Sequence, residues 1–188
     1  GMARPLTGTT LTHAVALFQT LGDDEANRYL RAIADHQSED PPPIQVVSSN
    51  GQLMRLVREG QLAWGWTDTD DFHVAELAGS PVAVVFPDQK PGPNGEEPYG
   101  TLMIPNTISI PKDAPHLKNA KRFVDWALTR QMEERLANSP SAQIPVRSDV
   151  PAPDHVRRDF HAMKVSYVAL GQQMSRRVEE LKTMFLTR

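Results

Sequence analysis

The chain has 188 residues, which suits one domain of ordinary size or one and a half such domains. Its 39% hydrophobic and 23% charged residues indicate a globular protein, and its net charge of −3 supplies no strong positive field for binding nucleic acid. The absence of cysteine excludes disulfides, thiolate nucleophiles and cysteine-ligated metals.

The first half of the chain alternates helices with short apolar strands. Helical spacing of apolar residues predicts the helices, and short apolar runs bounded by turn residues predict the strands. Helices are predicted over 11–21, 23–37, 52–59 and from the 67–71 turn to residue 78, and strands over 44–47, 62–66 and 82–86. This order favours an α/β fold in three layers, a mostly parallel sheet flanked by helices.

The second half is predicted to contain both extended segments and helices. Extended segments are predicted over 101–104, 107–110 and 141–146, and helices over 115–128, 131–137 and 165–185. Proline clusters at 41–43, 87–98 and 140–153 separate these elements, because proline neither continues a helix nor donates to a sheet.

Three short polar turns lead into helices and are candidate ligand-binding segments. They lie at residues 7–10, 48–51 and 67–71, and the last two directly follow predicted strands. Helix N-termini gather at the carboxyl ends of parallel strands, where their unpaired amides attract anions. The candidate ligand-binding residues are Gly8, Thr9, Thr10, Ser49, Asn50, Trp66, Thr67, Asp68, Thr69 and Asp70. The alternative is that all three turns only cap their own helices.

The third turn also suggests a weak cation site. Asp68, Asp70 and Asp71 could coordinate a hard cation through oxygen, although they match no EF-hand loop. His73 extends this to a mixed metal cluster, on which a metal-dependent hydrolase is a third, minor hypothesis. The chain shows no nucleophile elbow, P-loop or dinucleotide-binding motif, so neither an enzyme nor a cofactor is predicted.

Six strings in register carry a family resemblance. They are GTT at 8–10 ahead of His13, GQLAWGWTDTDD at 60–71, VVFPDQ at 84–89, GTLMIPNT at 100–107, APH at 114–116 with AKRFVD at 120–125, and SAQIP at 141–145. Together they resemble the extracellular solute-binding proteins of ABC importers, in the iron(III)-type branch of periplasmic binding proteins.

The resemblance implies a type 2 periplasmic-binding-protein fold, in which two α/β lobes close around a ligand. Residues 1–99 and 141–188 would then form the second lobe, residues 100–140 would return to the first lobe, and most of the first lobe has no counterpart here. The iron-binding branch has adjacent tyrosines after the strand that ends at Trp66. This chain has residues 67–71 there, without tyrosine, which argues against tyrosine-ligated ferric iron.

The resemblance also implies partners and a location. A small polar or anionic solute or a metal complex would be the ligand, an ABC permease would be the partner, and the periplasm would be the location. No export signal or membrane-spanning run is visible, so a chain starting at Met2 would stay in the cytoplasm. Without a first lobe, the apolar segments at 101–110 and 116–128 would lose their neighbours and either fold back onto the second lobe or pair with another copy of the chain. A homodimer is predicted, and a truncated interaction module is the alternative function.

Overall fold

The computed structural model, which describes residues 1–187, divides the chain into two compact units. The described part of unit 1 comprises residues 1–104 and 160–187, and unit 2 comprises residues 105–159. The resemblance implies a returning segment at 100–140, whereas the compact unit in that part of the chain covers residues 105–159. That unit 2 returns to a first lobe stays a prediction.

Seven helices and two short strands make up the regular structure of the described chain. The strands are β1 (Met2–Ala3) and β2 (Val46–Val47). The helices are α1 (Gly8–Leu21), α2 (Asp23–His36), α3 (Asn50–Arg58), α4 (Thr69–Leu77), α5 (Leu117–Ala127), α6 (Arg130–Ala137) and α7 (Tyr167–Leu186). All seven helices occupy segments that the apolar periodicity predicts as helical.

The sheet of unit 1 is small and parallel. β1 pairs with β2, with Met2 opposite Val46 and Ala3 opposite Val47. Trp66 forms an isolated parallel bridge to Met2 on the other side of β1. Three chain segments therefore run side by side in the same direction, and each leads within a few residues into a helix.

Helices α1, α2 and α7 enclose the main core of unit 1. Phe18 from α1, Leu30 from α2 and Leu181 from α7 are each at most 3% exposed and belong to one cluster. The buried guanidinium of Arg177 lies 3.9 Å from the ring centroid of Phe18. It also forms ion pairs with Asp23 at the start of α2 and with Glu180 at 2.8 Å. A paired charge therefore fixes α7 against the start of α2.

The α/β class with a parallel sheet is confirmed, but the sheet has fewer strands than the apolar runs predict. Residues 82–86 form no strand, and Val85 is 82% exposed. Residues 62–66 and 101–104 contribute only isolated bridges, at Trp66 and Thr101, and residues 107–110 form no strand or bridge. A strand requires a neighbouring backbone for its hydrogen bonds, and within residues 1–187 these runs have no such neighbour along their length.

The chain leaves and re-enters unit 1 through two segments that bond to each other. The amide of Thr101 donates to the carbonyl of His161 over 2.8 Å, and the amide of Met163 donates to the carbonyl of Thr101 over 2.9 Å. The side chain of Gln89 bonds both segments, since it accepts from the amide of His161 and donates to the hydroxyl of Thr101.

Unit 2 contains α5 and α6, which differ in how they are held. The side chain of Thr129 caps α6, and Glu133 accepts hydrogen bonds from the amides of Val146 and Arg147. Helix α5 has no buried residue, and its Phe123 and Trp126 are 57% and 46% exposed. The whole described chain contains no helix that is long and apolar enough to cross a membrane.

Candidate functional site

The first turns of α1, α3 and α4 meet at one edge of the small sheet. β1, β2 and the bridge residue Trp66 run parallel, so their carboxyl ends lie at the same edge. The residues that follow them begin these helices at Gly8, Asn50 and Thr69. This is the arrangement that the spacing of the polar turns predicts, and ligands of open α/β sheets bind at such an edge.

Side chains from the three helix starts form one hydrogen-bonded group, which we call the polar cluster: Thr9, Thr10, Asn50 and Asp68. The hydroxyl of Thr9 donates to Oδ2 of Asp68 over 2.9 Å. Nδ2 of Asn50 donates to the same oxygen over 2.7 Å and to Oγ1 of Thr9 over 3.1 Å. The hydroxyl of Thr10 donates to Oδ1 of Asn50 over 3.4 Å.

Of the three helices that start at this edge, only α3 has an N-cap side chain that hydrogen-bonds to its first turn. At α3, the side chain of Ser49 accepts a hydrogen bond from the amide of Gln52 over 3.2 Å, which is a standard N-cap. At α1 and α4, the N-cap residues Thr7 and Asp68 make no side-chain cap hydrogen bond. Asp68 instead directs its carboxylate toward α1 and α3, so the first-turn amides of α1 and α4 receive no acceptor from their own N-cap side chains.

The remaining predicted residues lie around the polar cluster without joining it. Gly8 and Thr69 are the first residues of α1 and α4, and Gly8 has a φ of 61°, which favours glycine. The hydroxyl of Thr67 donates to Oδ2 of Asp71 over 2.8 Å, within its own turn. Asp70 makes no hydrogen bond or ion pair with another residue of the described chain.

Three carboxylates lie close together beside the polar cluster. Oxygens of Asp68, Asp70 and Asp71 fall within 4.8 Å of one another, as the sequence spacing suggests. Burial raises the pKa of Asp71, and the neighbouring charges of Asp70 and Asp68 add to this effect while the bond from Thr67 opposes it. His73 lies in α4, 3.2 Å from Glu76, and is not part of this carboxylate group.

An aromatic wall and a narrow recess adjoin the polar cluster. The rings of His13 and Trp66 lie 4.5 Å apart at an interplanar angle of 31°. Both residues line the recess together with Thr10, Leu17 and Tyr29. Burial lowers the pKa of His13 from its usual 6.5 to about 4, so the imidazole is neutral at pH 7.

His13 lies beside the candidate site, although its sequence pattern does not single it out. It follows Thr10 by three positions on α1, which places both on one helix face, and this spacing was the available signal. Trp66 is partly buried against the main core, whereas Trp64 is 62% exposed and lies 6.2 Å from it between ring centroids.

The fold and the polar edge of the sheet define the class of protein. The structure matches the ferric binding protein from Campylobacter jejuni with a TM-score of 0.66 over 98% of this chain and 56% of that chain. The sequence identity is 14%, so this likeness shows the fold alone, which is that of a periplasmic binding protein.

Residues 1–164 match the family model described as bacterial extracellular solute-binding protein, and the chain belongs to this family. The family and the fold are those of binding proteins rather than enzymes. A Salmonella typhimurium protein, provisionally named a 2-aminoethylphosphonate-binding periplasmic protein, is 27% identical over 62% of this chain. An uncharacterized protein of Haemophilus influenzae is 28% identical over 68% of this chain. The matches span 33% and 32% of those relatives, about a third of their length.

Proposed function

We propose that this chain is the ligand-binding lobe of a solute-binding protein that serves an ABC-type importer, and that it receives a small polar or anionic solute at the polar cluster. The observation that carries the proposal is that Thr9, Asn50 and Asp68, from three different helix starts, lie within hydrogen-bond distance of one another. Family membership supports it, since the family's members are solute-binding proteins.

The anionic end of the solute would bind the first-turn amides of α1 and α4. Their N-cap side chains do not occupy these amides. Helix starts also carry a partial positive charge, which stabilises a phosphate, phosphonate or carboxylate group. Gly8 at the start of α1 would let a ligand approach the backbone closely, because it has no side chain.

The names of the similar proteins indicate which solutes to test first. The name of the Salmonella relative makes 2-aminoethylphosphonate the first candidate. A ferric complex is a second candidate because of the fold relative, and here its oxygen ligands would come from Asp68, Asp70 and Asp71. Tyrosine ligands are not available in this turn, whose sequence is Thr67–Asp71.

The whole-protein context is part of the proposal. Residues 1–99 and 141–188 would act as the second lobe, residues 100–140 would return to the first lobe, and the partner would be an ABC permease. The location would be the periplasm, as for the Salmonella relative. A single lobe supplies only part of a closed site, so we expect the isolated chain to bind its solute weakly.

The experiment is a thermal unfolding series with candidate solutes, followed by calorimetry. The panel contains inorganic phosphate, 2-aminoethylphosphonate, sugar phosphates, ferric citrate, Mg²⁺ and Ca²⁺, each at millimolar concentration. Binding to the folded state stabilises it by mass action, by about 2.7 kcal/mol at a hundredfold excess over Kd. A panel in which no solute raises Tm would contradict the proposal.

A second candidate function is an interaction module whose solute site is unused. The observation that favours it is the exposure of Phe123 and Trp126 on α5, a helix with no buried residue. Exposed apolar patches of this kind mark protein interfaces. On this hypothesis a second copy or another protein would stabilise the chain, and no small solute would.

A further inference from the structure

The hydrogen bonds inside the polar cluster use every side-chain donor that the cluster contains. Thr9 and Thr10 each have one hydroxyl hydrogen, and these are given to Asp68 and Asn50. Asn50 has two amide hydrogens, which are given to Thr9 and Asp68. Asp68 is a carboxylate and has none to give. A solute that reaches this cluster therefore finds no unused side-chain donor.

The direction of these hydrogen bonds follows from the chemistry of Asp68. A carboxylate only accepts, so the group of Asn50 that lies 2.7 Å from Oδ2 must be the NH₂ group rather than the carbonyl. The amide orientation is therefore set, and Oδ1 of Asn50 faces the hydroxyl of Thr10. The alternative orientation would place two oxygens against each other.

Although its donors are used, the polar cluster still has an unused hydrogen-bond acceptor and an uncompensated negative charge, both on Asp68. Both of its hydrogen bonds to Asp68 end on Oδ2, and within residues 1–187 Oδ1 of Asp68 accepts none. Asp68, Asp70 and Asp71 form no ion pair with a described lysine, arginine or histidine. A half-buried carboxylate with one unused oxygen and no counter-charge favours a donor that is positively charged.

The recess beside the polar cluster contains a second polar group without a partner, the imidazole of His13. His13 lines it with Thr10 and Trp66, and its ring makes no hydrogen bond with another described residue. Because burial lowers the pKa of His13 to about 4, its ring carries no positive charge at pH 7 that could offset Asp68. The imidazole of His13 is half-buried and has no hydrogen-bond partner in the described chain, so it is a polar group that a ligand in the recess can satisfy.

We propose that Asp68 determines specificity by binding an ammonium group of the solute through Oδ1, so that the solute is a zwitterion with an anionic end and an amine-bearing end. The inference rests on the proposed function, which assigns the anionic end to the amides of α1 and α4. Thr9, Thr10 and Asn50 do not donate to the anionic end with their side chains, since those donors are already in use.

The test compares two solutes that differ only by an ammonium group, O-phosphoethanolamine and ethyl phosphate. Calorimetry on the full chain at pH 7 is expected to give at least about tenfold tighter binding of the ammonium compound, because the added contact is a charge-assisted hydrogen bond. Phosphocholine has the charge without N–H donors and is expected to bind more weakly than O-phosphoethanolamine.

Two matched variants assign the preference to Asp68. Asp68→Asn keeps an oxygen that accepts from Thr9 and Asn50 but removes the charge, and it is expected to reduce the preference to less than about threefold. Asp24→Asn removes an exposed carboxylate at the start of α2, outside the polar cluster and the three carboxylates beside it, and is expected to keep the preference. If Asp68→Asn does not fold, the comparison of the two solutes on the unmodified chain still shows whether the site prefers an ammonium group.

The outcomes separate this inference from the proposed function. Equal binding of the two phosphate esters, or binding of inorganic phosphate without a gain from the ammonium group, would overturn the inference and leave the proposed function standing. Binding of Mg²⁺ or Ca²⁺ without any preference for the amine would also overturn it. If none of these compounds nor any solute of the panel binds, both proposals fail.

Discussion

Nδ2 of Asn50 donates a 2.7 Å hydrogen bond to Oδ2 of Asp68, although the two residues belong to the starts of different helices. The same nitrogen also donates to Thr9 at the start of α1. Asn50 therefore connects the two helix starts whose own N-cap side chains make no cap, and it is the residue on which the shape of the site depends most.

Replacing Asn50 with alanine is expected to weaken solute binding by at least about tenfold, or 1.4 kcal/mol. The substitution removes both hydrogen bonds that hold Asp68 and Thr9 to α3, and it should lower the free energy of unfolding by about 1–3 kcal/mol. Calorimetry measures the first effect and urea unfolding the second.

Ser166→Ala is the matched control for Asn50→Ala. The side chain of Ser166 caps α7 by accepting from the amide of Ala169, and it takes no part in the polar cluster. Loss of this cap should cost about 1 kcal/mol of stability and leave the affinity for the solute unchanged. Equal losses of affinity in the two variants would mean that Asn50 acts only through stability.

His13 is expected to make the protein less stable in acid. Burial lowers its pKa in the folded state to about 4, whereas in the unfolded chain the pKa is near 6.5. Between these values the unfolded state binds more protons, so the free energy of unfolding decreases as the pH falls from 6.5 to 4. The shift corresponds to a loss of about 3 to 4 kcal/mol that is complete below pH 4.

His13→Gln should flatten this part of the stability profile, measured by urea unfolding at half-unit pH steps. Its stability at pH 7 will also change, because the ring contact with Trp66 is lost, so the slope is the diagnostic quantity. His116→Gln is the control, since His116 is exposed. If both variants keep the slope of the unmodified chain, His13 does not titrate as its burial requires.

The helices and the meeting of their first turns could be predicted from the sequence because both follow from local rules. Apolar residues at helical spacing place α1, α2 and α7, and parallel βα units bring the starts of α1, α3 and α4 to one edge. What the sequence could not provide is the direction of the hydrogen bonds. Thr9, Thr10 and Asn50 are both donors and acceptors, and only the position of Asp68 determines which role remains.

The run at 82–86 shows why strands were predicted less well than helices. A helix forms its hydrogen bonds within its own segment, so its pattern is sufficient. A strand depends on a neighbour that a sequence window does not contain, and an unbroken apolar run predicts only that one face or both are covered. Val85, at 82% exposure, has no such cover in the described chain.

Gly100 is expected to tolerate no side chain, because the backbone of His161 and Ala162 lies against it. A Cβ atom on Gly100 would lie 2.6 Å from the carbonyl oxygen of His161, and its φ is 79°. Gly95 has a similar φ of 82° with nothing within 4 Å of a Cβ atom. Gly95→Ala should therefore cost only backbone strain, about 1–2 kcal/mol.

Gly100→Ala should cost a further 1–3 kcal/mol or so, because the backbone atoms in its way cannot rotate aside. Urea unfolding of the two variants isolates this contribution, since the backbone strain is common to both. Hydrogen exchange should also show faster exchange of the amides of Thr101 and Met163 in Gly100→Ala only. Equal stability of the two variants would mean that the segments around Thr101 and His161 can move apart at little cost in free energy.

The exposed aromatic face of α5 predicts self-association, which light scattering after size-exclusion chromatography measures. Phe123 and Trp126 lie 5.5 Å apart between ring centroids and are about half exposed, so burying them in a second copy would remove apolar surface from water. We expect a dimer at micromolar concentration, and a monomer after Phe123→Glu. Val85→Glu, which changes a still more exposed apolar residue of unit 1, should leave the dimer intact. A monomer of 20.9 kDa at all concentrations would remove the support for the interaction module and leave solute binding as the function to test.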